Sequence, residues 1–276
     1  MFRPIILPFL LGGLALAQEP APDPVTRQLW NETFRQKRPA SVKPVTAAKP
    51  LPSAVKGTLV GITMWGFRPS LPSDAPEIRE FDGESAQDLT PQRIAAEYPL
   101  ANKQKIRIGI EVAQNGYLYV IDRVEYANGK KGPPCLIFPT KRILNGDNHV
   151  HSGLLVELPT ADDNPPFFTM HKKPEQVQEV LTIIISPKPL QGITLPEERL
   201  ELPESLFTGW QAQWKSKSHK LADAKPVGQL YTLAEKLAAK VGKPLGKTDA
   251  LPQMMYHFDS KVGDTVMLDL PLRVTK

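Results

Sequence analysis

The chain has 276 residues, with 34 Lys and Arg against 29 Asp and Glu, for a formal net charge of +5. That excess is too mild to make the dense basic stripe of a nucleic-acid-binding protein, though it suits weak attraction to anionic polymers or lipid surfaces. The single cysteine, Cys135, has no partner for an internal disulfide, so stability must come from a hydrophobic core.

The first residues read "MFRPIILPFLLGGLALAQEP". Arg3 precedes a leucine-rich run too short to span a membrane comfortably, and Ala15-Leu16-Ala17 offers small residues before a cut. Residues 1–17 are expected to be a signal peptide and the protein to be exported, to the periplasm or the outside. No later stretch reaches transmembrane length, so no membrane-spanning segment is expected in the mature chain. Residues 18–56 carry Pro20, Pro22, Pro24, Pro39, Pro44, Pro50 and Pro52 among Ala, Lys and Ser, the composition of a semi-rigid linker. Within it, Trp30 and Phe34 have helical spacing among basic residues, the pattern of a short docking helix.

From residue 57 the texture becomes β. "GTLVGITMW" sets Val60, Ile62 and Met64 on one face. "IRIGIEV" alternates Ile106, Ile108, Ile110 and Val112 with Arg107, Gly109 and Glu111, which predicts a half-buried strand. "GYLYVID" follows the turn at Asn115-Gly116, and "CLIF" follows the loop at Asn128-Gly129. Residues 149–158, 180–185 and 265–274 are further predicted strands. Pro271 lacks an N–H, which places the last of these at an edge or a bulge. Two helices are predicted late. "PESLFTGWQAQWKSK" spaces Leu206, Trp210 and Trp214 as an apolar stripe. "TLAEKLAAKVGKP" has a Thr232/Glu235 capping box, a Leu233, Leu237, Val241 stripe and a Gly242 stop. Together these patterns predict a mainly β fold, an antiparallel β-sandwich of Ig-like or Greek-key type over residues 57–276, with a small helical insert at 203–242.

Candidate chemistry is sparse. Asp147, His149 and His151 would share one face of an extended strand, and imidazoles so placed are a candidate metal site. The His-x-His spacing is similar to that of the metal cupins, but Glu157 comes later than that pattern requires. Asn145, Asp147 and Asn148 form one Asx-rich turn and Asp162, Asp163 and Asn164 another. A continuous strand between them would hold the turns about 30 Å apart, too far to share a ligand. Arg123, Lys130, Lys131, Lys141 and Arg142 form a candidate binding rim for an acidic partner. Cys135 lies in an apolar run with no activating partner nearby in sequence. No nucleophile elbow, zinc-protease motif, P-loop or dinucleotide fingerprint is present.

The segments "NGYLYVIDRVEYANGKKGPPCLIFPTKR", "GDNHVHSGLLVELP" and "EVLTIIISPKPL" resemble, in that order, the bacterial family called domain of unknown function 4384. The resemblance covers residues 57–276, most specifically 105–190, with Tyr117, Tyr119, Phe138 and Pro139 on the pattern. It implies an all-β module of exported proteins and supplies no catalytic residues. His149 and His151 fall where that family has other polar residues, so a metal site there would belong to this chain alone. The resulting expectation is a non-enzymatic binding module with no cofactor, engaging an envelope protein or anionic polymer. The alternative is a metal-dependent enzyme built on His149 and His151.

Overall fold

The computed structural model describes residues 57–95, 97–215, 218–223, 227–242, 244–246, 249–261 and 263–275. The predicted leader, the proline-rich linker and the Trp30/Phe34 segment lie outside the described residues. The chain is mainly β, with two antiparallel sheets and two α-helices. No helix among the described residues is long and apolar enough to cross a membrane.

The first sheet is built around β1 (Thr58–Pro69). One edge of β1 pairs with β13 (Met254–Phe258) and then β3 (Gln87–Arg93), and the other edge pairs with β4 (Lys105–Val112). β12 (Ser218–Asp223) extends the sheet beyond β13, and β2 (Glu80–Asp82) extends it beyond β3. β8 (Leu155–Leu158) and β9 (Phe168–Thr169) border β4. The second sheet runs β11 (Leu200–Glu201), β6 (Cys135–Phe138), β5 (Gly116–Tyr126), β10 (Gln176–Ser186), β14 (Val266–Arg273), with β7 (His149–Val150) against β5. β14 ends that order, so Pro271 sits in an edge strand as its missing N–H requires.

The alternating residues of both sheets enter one hydrophobic cluster. Val60, Ile62, Met64 and the β4 isoleucines come from the first sheet. Leu118, Val120, Leu181, Ile183, Ile185, Leu268 and Leu270 come from the second. The outer face of the second sheet is covered by α1 (Glu204–Trp214), whose Phe207 and Trp210 are buried against Tyr119, Ile121, Ile184 and Met267. Trp214 is half-buried and stacks on Trp210 with ring centroids 5.9 Å apart.

Four expectations need correcting. Residues 149–158 are not one strand: the chain pairs with β5 at His149–Val150, turns through Gly153 at φ +81°, and joins β4 from Leu155. The 203–242 insert is not wholly helical, since β12 lies between the helices and pairs with β13. In α2 (Leu233–Val241) the predicted stripe faces outward, with Leu233, Leu237 and Val241 at 48%, 45% and 63% exposure. Instead Ala234, Ala238 and Ala239 pack on Leu155 and Leu245, because small side chains let the helix approach closely while Glu235 reaches a buried arginine. Finally, β4 is buried on both faces: Arg107 and Glu111 have 0% and 3% exposure.

The capping box of α2 forms as predicted, Thr232 Oγ1 accepting from Glu235 N at 3.1 Å and Glu235 Oε2 accepting from Thr232 N at 3.0 Å. Thr232→Ala removes the acceptor of Glu235 N and leaves the Thr232 N bond in place, and should lower stability by about 1 kcal/mol, read from urea unfolding.

Candidate functional site

Strand parity puts charge where apolar side chains are expected. On β5 the core-facing positions are Leu118, Val120, Asp122 and Val124, and on β10 they are Glu179, Leu181, Ile183 and Ile185. The register pairs Asp122 with Leu181 and Val124 with Glu179, so the two carboxyls are diagonal neighbours on one face. There a cavity of about 440 Å³ opens, with Ile106, Phe168 and Met170 on the side of the first sheet and Val124, Leu181 and Leu272 on the side of the second.

Asp122 Oδ1 is closed off from solvent and has no hydrogen-bond partner. Burial, reinforced by the Glu179 carboxylate, pushes the Asp122 pKa up to about 7, against the pull of Arg199 and Lys173. Burial also raises Glu179, whose Oε1 accepts from Gln176 Nε2 at 3.0 Å. Arg199, Lys173, His171, Arg142 and Glu198 add further charged and polar lining. Arg199 Nη2 lies 3.0 Å from Cys135 Sγ, and the contact with that sulfur holds the guanidinium pKa above its usual value. The thiol is buried beside a cation that comes from a distant part of the chain, a partner its flanking residues do not announce. An apolar cavity with a few convergent polar groups and perturbed acids is the usual form of a small-ligand site. Asp122, with its pKa at about 7, is partly protonated at neutral pH, and its open oxygen can accept from a donor that enters.

A second charged group lies on the other face of the first sheet. Arg107 donates to Glu80 through Nη1 at 2.8 Å and through Nη2, to Pro166 O at 2.6 Å, and lies 3.5 Å from Glu157 Oε2. Tyr231 donates to the same Glu157 oxygen at 2.7 Å. Arg93 donates to Glu235 Oε1 at 2.8 Å and to Leu251 O at 2.7 Å, with its guanidinium 5.2 Å from the Trp65 ring centre. Burial first, then the charges of Glu80 and Glu235, push Glu157 up to about 7 in spite of Arg107, while Glu157 and Glu80 hold Arg107 above its usual range against its own burial. The group ties β2, β3, β4, β8 and α2 together.

The sequence-derived candidates are placed differently. His149 is exposed in β7, its Nδ1 3.1 Å from Asp147 Oδ1 and its ring 4.3 Å from Tyr117, whereas His151 lies in the turn beyond the strand. Among the described residues no three His, Cys, Asp or Glu side chains converge to hold a metal. The basic rim is divided. Arg123 pairs with Glu204 and Lys131 with Glu125 near the β5–β6 loop, where Lys130 is exposed. β6 carries the chain away from that loop, and beyond it Lys141 pairs with Glu197 while Arg142 lies 3.7 Å from Glu198. The two Asx turns do meet, because the intervening strand is broken: Asp163 Oδ1 accepts from Leu144 N at 3.0 Å. Asp122 and Glu179 were missed, although a carboxylate in phase with buried aliphatics was the available signal.

No family model, curated protein or solved structure matches the chain.

Proposed function

We propose that the chain is an exported binding module in which the two sheets stack as an antiparallel β-sandwich. Its ligand enters the cavity walled by both sheets, and its partner is an envelope protein or polymer that presents the inserting group. The observation that carries this reading is the unpartnered Asp122 Oδ1 beside Glu179, in a cavity whose aliphatic and aromatic walls also carry charged side chains. A buried acceptor left without a donor is unfavourable, and a guest that donates to it while covering the aliphatic walls relieves that cost. The reading involves no bond-making step.

The test is native mass spectrometry of the chain purified gently from its own envelope, alongside two variants. Ile137→Trp fills the cavity from its wall, and Asp122→Asn replaces the open acceptor with an amide. Both should retain the wild-type fold and weaken the bound species by about tenfold or more. A bound species held equally by all three proteins would place the site elsewhere.

A further inference from the structure

A second cavity, of about 340 Å³, lies where the two Asx turns meet α2. Its walls differ in kind from those of the first. The charged lining consists of Glu157, Asp162 and Asp163 against Arg142, Lys236 and Lys240, three of each sign. Asn145, Thr160, Asn164 and Tyr231 add uncharged donors and acceptors, and only Leu144 and two alanines are apolar.

Most of these groups are already engaged. Asp163 accepts from Leu144 N, Thr160 N and Thr160 Oγ1 at 3.0, 2.7 and 3.0 Å. Asp162 holds Lys240 at 2.9 Å, Lys236 donates to Glu77 O at 2.7 Å, and Arg142 Nε donates to Asn164 O at 3.0 Å. Glu157 is the exception. Its side chain is fully buried, its Oε2 accepts from Tyr231, and its Oε1 has no partner.

We propose that this cavity binds a neutral polyhydroxylated molecule of monosaccharide size, one hydroxyl of which donates to Glu157 Oε1. At pH 8, where Glu157 is ionised and the titrations are run, balanced wall charge gives no preference for an ion. An anion would have to draw Lys236, Lys240 or Arg142 from the acceptors they hold, and a cation would meet those three groups at close range. A hydrocarbon guest would leave the many polar groups of the wall without partners, whereas a polyol matches a lining that mixes donors with acceptors. The volume is at the small end of ligand cavities, about 300–1,000 Å³, which fits one sugar unit. This site stands apart from the cavity between the sheets, though Arg142 borders both.

The experiment is saturation-transfer NMR and calorimetric titration of the full chain with N-acetylglucosamine, methyl α-glucoside and myo-inositol, with inorganic phosphate and butylammonium as ionic probes. At least one polyol should bind with a Kd of about 1 mM or tighter, and neither ion should compete with it. Glu157→Gln should weaken binding at least about tenfold, because Tyr231 keeps the amide oxygen and turns the NH₂ toward the guest. Ala161→Phe, which narrows the cavity from the loop after β8 and lies outside the helix packing, should do the same if Glu157→Gln fails to fold. Ile137→Trp should leave polyol binding intact, which separates this site from the first cavity. The proposal is overturned if no polyol binds at about 50 mM, if phosphate or butylammonium displaces the polyol, or if folded Ala161→Phe binds as wild type does.

Discussion

Replacing Arg107 with methionine should destabilise the folded chain by about 3–5 kcal/mol, the largest loss expected from any single substitution outside the apolar core. The guanidinium is fully buried and holds Glu80 with two hydrogen bonds, faces Glu157 and closes on the Pro166 carbonyl. Methionine fills similar volume, so the loss comes from two buried carboxyl groups left without a counter-charge. Arg107→Lys should be almost as damaging, since one ammonium cannot reproduce the fork that spans Glu80 and Pro166. The measurement is urea unfolding of both variants. A loss below about 1 kcal/mol for Arg107→Met would mean that water reaches the site and screens the carboxylates.

The second large effect is a decline in stability as pH rises from about 4.5 to about 7. Glu157 has its pKa raised by burial from 4.5 to about 7. A carboxyl whose folded pKa lies above its unfolded value binds more protons in the native state across that interval. Its stabilising contribution is therefore complete below the unfolded pKa and is lost as pH climbs through the folded one. For Glu157 alone the loss is roughly 3 kcal/mol between those limits. Asp122 is shifted the same way, so its contribution has the same sign. On the acid side the direction reverses. Asp74, held by Arg68 Nη1 at 2.7 Å and by Leu71 N and Thr90 Oγ1, has a pKa far below the usual range, and its contribution falls away only as pH drops below about 4. Unfolding free energies should thus be greatest near pH 5 and smaller at pH 8, and Glu157→Gln should flatten the slope between them. Equal stability of the wild type at pH 5 and pH 8 would show that neither carboxyl is shifted upward. The two effects are linked, because the penalty for losing Arg107 should be larger at pH 8, where Glu157 is charged, than at pH 5.

The sequence pattern reveals period and hides what lies beyond it. The isoleucines of β4 announce a strand and its core-facing side correctly, and the polar alternates suggest a wet second face. That face is dry because the loops around residues 74–82 and 159–167 and the segment leading into α2 fold over it, and each arginine there finds its acid far along the chain. Arg107 meets Glu80 and Glu157, and Arg93 meets Glu235. Local periodicity carries no signal of such pairs. The same blindness reverses α2, whose leucines have the spacing of a buried stripe although Glu235 and three alanines decide which side turns in. β3 was hidden for another reason: "QDLTPQR" has the polarity and the proline of a loop, and only its pairing with β1 and β2 makes it a strand. The break in 149–158 was closer to legible, since Ser152-Gly153 is a turn dipeptide inside an apolar run. Once the chain turns there, Asp147, His149 and His151 lose their common face and the two Asx turns gain one.

The placement of β1 has a consequence for how the chain reaches this state. Thr58 pairs with Phe258 and Ile62 with Met254, so the central strand of the first sheet has one neighbour supplied about 200 residues later. During synthesis the Thr58–Ile62 part of that edge waits open until β13 has emerged. Contacts of such separation close slowly, in the millisecond-to-second range typical of β-rich domains. A polypeptide that stays pliable until its last strands arrive remains thin enough to be threaded through a translocation pore, which is the condition the proposed export would place on it.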